Sequence, residues 1–88
     1  MGINPRYVQA LIQLGRLYSE TNDDGPAMER LQAAIDAGGD YPDVHYLLGE
    51  LHRRGGRKEE ARAAYRRALA LNGDYTSARK ALETVVAV

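Results

Sequence analysis

The chain has 88 residues, 44% hydrophobic and 27% charged, with basic and acidic side chains balanced to zero formal net charge. Such a composition belongs to one small folded domain; it excludes disorder and gives the chain as a whole no polyanion-binding signature. There is no cysteine for disulfides or thiolate sites, no signal-peptide pattern, and no apolar run of the ~18 residues a membrane span needs, so the expectation is a cytoplasmic protein without membrane contact.

Taken in chain order, Asn4-Pro5 reads as a turn, because proline lacks a backbone N–H and biases the residue before it away from helix. Ala10, Leu11, Leu14, Leu17 and Tyr18 then recur at helical spacing, which predicts a first helix. "SETNDDGP" interrupts it, and Pro26 fits the first position of a second helix through Ala27, Met28, Leu31, Ala34 and Ile35, ended by "GGD". A third helix is expected from Val44 to His52 and a break at "RRGG". A fourth follows over Ala61, Ala64, Tyr65, Ala68, Leu69 and Leu71, and a fifth from about Thr76 to Ala87 with Ala78, Leu82 and Val85 on one face. Alternating β-branched runs are missing, so strands are not expected.

The pattern repeats. Tyrosines stand at 7, 41 and 75, each closing a polar cluster: "NPRY", "GGDY", "NGDY". Sliding residues 8–41 onto 42–75 without gaps matches Leu14/Leu48, Gly15/Gly49, Leu17/Leu51, Ala27/Ala61, Ala34/Ala68, Gly39/Gly73, Asp40/Asp74 and Tyr41/Tyr75. Nearly all are small, apolar or aromatic, as shared packing rather than shared chemistry would require. The organisation expected is therefore residues 3–7 as the tail of a preceding unit, 8–41 and 42–75 as two complete units, and 76–88 as a single capping or truncated helix.

These units resemble the tetratricopeptide repeat, a 34-residue helix-turn-helix with W-x₂-L-G-x₂-Y, then A-x₃-F, then P. "LIQLGRLY" supplies Leu14-Gly15 and Tyr18, followed by Ala27 with Leu31; "HYLLGELH" supplies Leu48-Gly49, with His52 in the tyrosine slot, followed by Ala61 and Tyr65. Leu11 and His45 replace the tryptophan, and Gly39 and Gly73 replace the closing proline. The resemblance implies an all-α, right-handed superhelix (an α-solenoid) of about 2.5 repeats, built from five antiparallel-packed helices. In that arrangement Gly15 and Gly49 admit close helix approach, while Leu14, Leu17 and Tyr18 point into the core. Glu83 occupies the third unit's glycine slot, which suits a solvated outer helix, whereas Val85 and Val86 would want cover.

Chemistry-bearing constellations are sparse. His45 and His52 are seven apart in packing slots, not at the three- or four-residue spacing of helical metal ligands, so no metal or cofactor is expected. No nucleophile–base motif or phosphate-cradling glycine loop occurs, and the expectation is a protein that is not an enzyme. Arg62, Arg66 and Arg67 continue the basic stretch "HRRGGRK", and the second half carries nine bases against five acids, but aromatic residues for base stacking do not accompany them. Nucleic acid is therefore an unlikely partner.

The resemblance places binding on the concave face of the first helices. The candidate residues there are Gln9, Ile12, Gln13 and Arg16 in the first unit, Asp43, Tyr46, Leu47, Glu50, Arg53 and Arg54 in the second, and Lys80 in the third. Another protein or peptide, held as an extended segment or a helix, is the implied partner. Two other roles stay open: self-assembly or spacing through the solenoid ends, including a homo-oligomer, and an RNA-binding helical repeat.

Overall fold

A computed structural model describes residues 4–86 and, for Val86, the backbone alone. It contains α1 (Pro5–Glu20), α2 (Asp24–Asp36), α3 (Pro42–Arg54), α4 (Lys58–Leu71) and α5 (Thr76–Val86). Among the described residues no strand occurs, so the all-α expectation holds. The chain divides into two compact units, Met1–Asp40 with α1 and α2, and Tyr41–Val88 with α3, α4 and α5.

The Asn-Pro pair at the start begins an element rather than ending one. The Asn4 side chain accepts hydrogen bonds from the backbone N–H groups of Arg6 (3.1 Å) and Tyr7 (3.3 Å), and Pro5 takes the first helical position, where its missing N–H costs nothing. Residues 5–7, assigned by the period to the tail of a preceding unit, are thus the first turn of α1. Likewise α2 begins two residues ahead of Pro26, which lies third in the helix, still within the turn whose N–H groups have no intrahelical acceptor.

The two helical hairpins turn alike. Asn22 (φ 63°) and Gly56 (φ 78°), one period apart, both adopt the left-handed conformation just past a helix end. The next residue closes each turn back onto the helix, Asp23 N–H to Tyr18 O at 2.8 Å and Arg57 N–H to His52 O at 2.9 Å.

In the first unit, the buried face of α1 is Val8, Leu11, Ile12, Gly15 and Ser19, and that of α2 is Ala27, Leu31 and Ala34. A Cβ on Gly15 would lie 2.7 Å from the Leu31 side chain, so the helices cross where α1 has no side chain. This register overturns part of the expected core. With Gly15 at the crossing, Leu17 (58% exposed) is carried to the far side of the helix and Leu14 (40%) to the edge of the buried face, and Ile12 (5%), expected in the binding face, is buried.

In the second unit, Val44, Leu48, Gly49 and Leu51 of α3 and Ala61, Tyr65 and Ala68 of α4 are buried. α5 packs mainly on α4: Val85 joins Ala61 and Tyr65, with Ala81, Leu82 and Tyr46 against the same cluster. Val85 is therefore covered within its own unit, contrary to the expectation that it would want a partner; the Val86 side chain lies outside the described residues. Glu83 is exposed, as its place on a solvated outer face requires.

At Gly49 the approach is closer still, because an added Cβ would stand 2.5 Å from Cε1 of the fully buried Tyr65 ring. Gly49→Ala gains about 1 kcal/mol of helix propensity, but overpacking against a ring that cannot swing aside costs about 1–3 kcal/mol. A lower thermal midpoint than wild type is expected by circular dichroism, and a raised midpoint would contradict this packing.

Candidate functional site

The second unit holds a polar cluster on α3 anchored from α4. Glu50 and Arg53 are one turn apart, and Arg53 Nη2 donates to Glu50 Oε2 at 2.6 Å. Tyr65 has no exposed surface, yet its hydroxyl emerges between them: Oη donates to Glu50 Oε1 at 2.6 Å and accepts from Arg53 Nε at 3.3 Å. The three groups close a ring, each side chain held by the other two. Burial, and then donation to Glu50, push the Tyr65 phenol well above its ordinary range. The hydrogen bond to Glu50 likewise holds Arg53 firmly protonated.

Tyr46, one turn before Glu50, is fixed by its neighbours' rings. Its centroid lies 5.9 Å from that of Tyr65 and 5.4 Å from that of Tyr75, both tilted. Burial, and after it the Glu50 carboxylate, raise its phenol pKa. Between α3 and α5 these residues border a groove of about 320 Å³, lined by Tyr46, Glu50, Arg53, Ser77, Lys80, Ala81 and Thr84. Past Arg53 and Thr84 a second hollow of about 220 Å³ adds Gly56, Lys58 and Val85. Among the described lining residues the cations are Lys80, Arg53 and Lys58, and the one acid, Glu50, is already bound to Arg53 and Tyr65.

The structure thus brings together Tyr46, Glu50, Arg53 and Lys80 of the sequence-predicted residues. Asp43 and Leu47, half-buried, and Arg54, exposed, are on α3 but do not line the groove. Gln9, Gln13 and Arg16 are exposed on α1 in the first unit, and Ile12 is core. Tyr65, which does not line the groove but holds Glu50 and Arg53 from behind, was not among the expected site residues because it fills an aromatic packing slot. The signal available was its hydroxyl, which a purely apolar slot would not call for.

At the α3–α4 turn, Arg57 Nε donates to His52 Nδ1 at 2.9 Å, which requires a neutral imidazole with Nδ1 as the acceptor. Burial first, and the Arg57 charge second, lower the His52 pKa, with Glu60 opposing them. Arg62 pairs with Glu59 at 3.1 Å, so two cations of the basic stretch serve local contacts.

The sequence profile of the tetratricopeptide repeat matches residues 12–72, more than half of the chain and all of α2, α3 and α4. The chain belongs to the tetratricopeptide repeat family. Comparison with curated proteins gives no match. Tetratricopeptide repeats mediate protein–protein interaction, and Gly15, Gly49, Ala27, Ala61 and Tyr65 fill the repeat's motif slots in the packed core. No described helix is long and apolar enough to cross a membrane.

Two measurements check the electrostatics of this repeat. Tyr65→Phe keeps the ring but deletes both hydroxyl hydrogen bonds, and a loss of about 1–2 kcal/mol in urea denaturation is expected. An unchanged midpoint would show that the ring of hydrogen bonds contributes nothing. For His52 the folded pKa is depressed, so the unfolded chain binds the proton more readily. This contribution is fully present above the unfolded value of about 6.5 and is lost as pH falls below it toward the folded value. His52→Gln, whose amide oxygen still accepts from Arg57, is expected to lose less stability than wild type between neutral and mildly acidic pH. Parallel pH profiles of the two proteins would refute it.

Proposed function

We propose that the groove between α3 and α5 binds a segment of another protein. The observation that carries this reading is the convergence of Tyr46, Glu50, Arg53 and Lys80, from two helices more than twenty residues apart in sequence, on one cleft. A tyrosine with two ring neighbours presents a large contact surface at little entropic cost, as interface anchors do. Arg53 remains half-exposed at 46% while its geometry is fixed by Glu50 and Tyr65, so its outward N–H groups are oriented before a partner arrives. Lys80 adds an exposed cation across the groove. The side chains suit a segment that sets an apolar residue against Tyr46 and Ala81 and a hydrogen-bond acceptor or carboxylate toward Arg53 and Lys80.

The test is selection of binders from a displayed random-peptide library, followed by titration against variants. Lys80→Glu and Tyr46→Ala are each expected to weaken the selected peptides at least tenfold, whereas Arg66→Glu, exposed on α4, leaves affinity unchanged. Peptides that bind both groove variants as tightly as wild type would place recognition elsewhere.

A further inference from the structure

Granted the groove between α3 and α5 as the binding site, on which this rests, we propose that Arg53 selects an acidic side chain within the bound segment. Tyr65, which lies behind the groove, is the positioning residue that gives Arg53 this preference. A guanidinium carries five N–H donors in one plane, paired along edges that each match the two oxygens of a carboxylate. Nε and Nη2 share one edge, and both are engaged from within the protein. Nε donates to Tyr65 Oη at 3.3 Å, and Nη2 donates to Glu50 Oε2 at 2.6 Å. The end edge, formed by Nη1 and the second N–H of Nη2, donates to no described residue.

Two attachments on one edge fix the attitude of the whole plane. The engaged edge faces Tyr65 and Glu50, which leaves the end edge to the exposed side of a residue that lines both the groove and the hollow beyond it. Its parallel N–H groups match both oxygens of a carboxylate, whereas a neutral amide offers one oxygen and leaves an N–H unmatched. The surrounding charge agrees. Lys80 in the groove and Lys58 in the hollow are exposed and pair with no acid among the described residues. Glu50, the one acid of the described lining, is already held by Tyr65 and Arg53.

The acid belongs to a side chain rather than to a chain end. Arg53 and Thr84 line both spaces, so the cleft continues past Arg53 in two directions. A segment that runs through it sets an aspartate or glutamate at Arg53 with chain on either side, whereas a terminal carboxylate would leave one space empty. One period back, the slots of Glu50, Arg53 and Tyr65 hold Arg16, Ser19 and Leu31, so the first unit does not repeat the device.

The probes are peptides selected on the wild-type chain from a displayed random library, synthesised with acetylated and amidated ends, each acid exchanged in turn for its amide. One such exchange is expected to weaken binding about tenfold or more, the loss of a charge-assisted hydrogen-bond pair. Arg53→Lys keeps the charge but not the paired N–H groups, and should cut that acid-over-amide preference to about threefold or less. Tyr65→Phe changes no charge and no groove-lining residue, yet should cut it as far, by weakening the acidic peptide more than its amide. A general loss of stability would weaken both peptides alike, so an unchanged ratio in either variant overturns the proposal. Peptides indifferent to exchange of every acid, or dependent on a free carboxyl terminus, would overturn it too. Peptides that need Tyr46 but ignore Arg53→Lys sink this inference alone; those that ignore Tyr46→Ala and Lys80→Glu, or a library without binders, sink the groove reading with it.

Discussion

The contact between the Gly49 backbone and the ring of Tyr65 governs the second unit. Because α3 carries no side chain there, α4 lies close enough for the aromatic ring to be enclosed completely, and the ring's length then decides where its hydroxyl ends. It ends between Glu50 and Arg53, at the border of the groove. A core contact and a surface site are thereby one construction: the packing slot sets the depth of the ring, and the hydroxyl converts that depth into side-chain orientation on the surface. Tyr46 is tied to the same point, since its ring packs on Tyr65 from one side and on Tyr75 from the other. The polar rim of the groove is thus fastened to the core through the Tyr65 hydroxyl.

The first unit applies the same crossing with different consequences. Leu31 rather than tyrosine lies over Gly15, so the residue at that crossing brings no hydroxyl to the surface of α1. The side chains at the two crossings are therefore unlike although their helices and turns correspond. The crossing at Gly15 also determines which leucines of α1 are left in solvent. A helix has about 3.6 residues per turn, so a face made of Val8, Leu11, Ile12, Gly15 and Ser19 turns Leu17 to the opposite side and leaves Leu14 at its edge. Helices in a repeat are apolar on more than one side because each is made to contact more than one neighbour. α1 retains that second apolar side.

Much of this was legible in the residues. The 34-residue interval, the paired alanines and glycines, and the turn clusters identify the family and five helices, since period and patterning are local properties that each unit repeats. Helix starts were less legible: Asn4-Pro5 looks like a stop in sequence and acts as a cap and first residue in space, because the same chemistry serves either end of a helix until the neighbouring backbone is placed. Four of the groove residues, Tyr46, Glu50, Arg53 and Lys80, were recoverable by repeat offset alone.

Burial was another matter. Ile12 and Leu14 are two apolar residues of similar volume, two positions apart, and periodicity accommodates either of them inside. Which is enclosed depends on where the second helix crosses the first, an angle that no residue encodes on its own. The crossing at Gly15 enclosed Ile12 and exposed Leu14, and the crossing at Gly49 turned a packing tyrosine into the anchor of the groove. Repeat identity and helix count thus follow from the spacing of residue types along one chain. The choice of inner and outer faces, and the ring that joins Tyr65, Glu50 and Arg53, follows from contacts between residues that spacing does not relate.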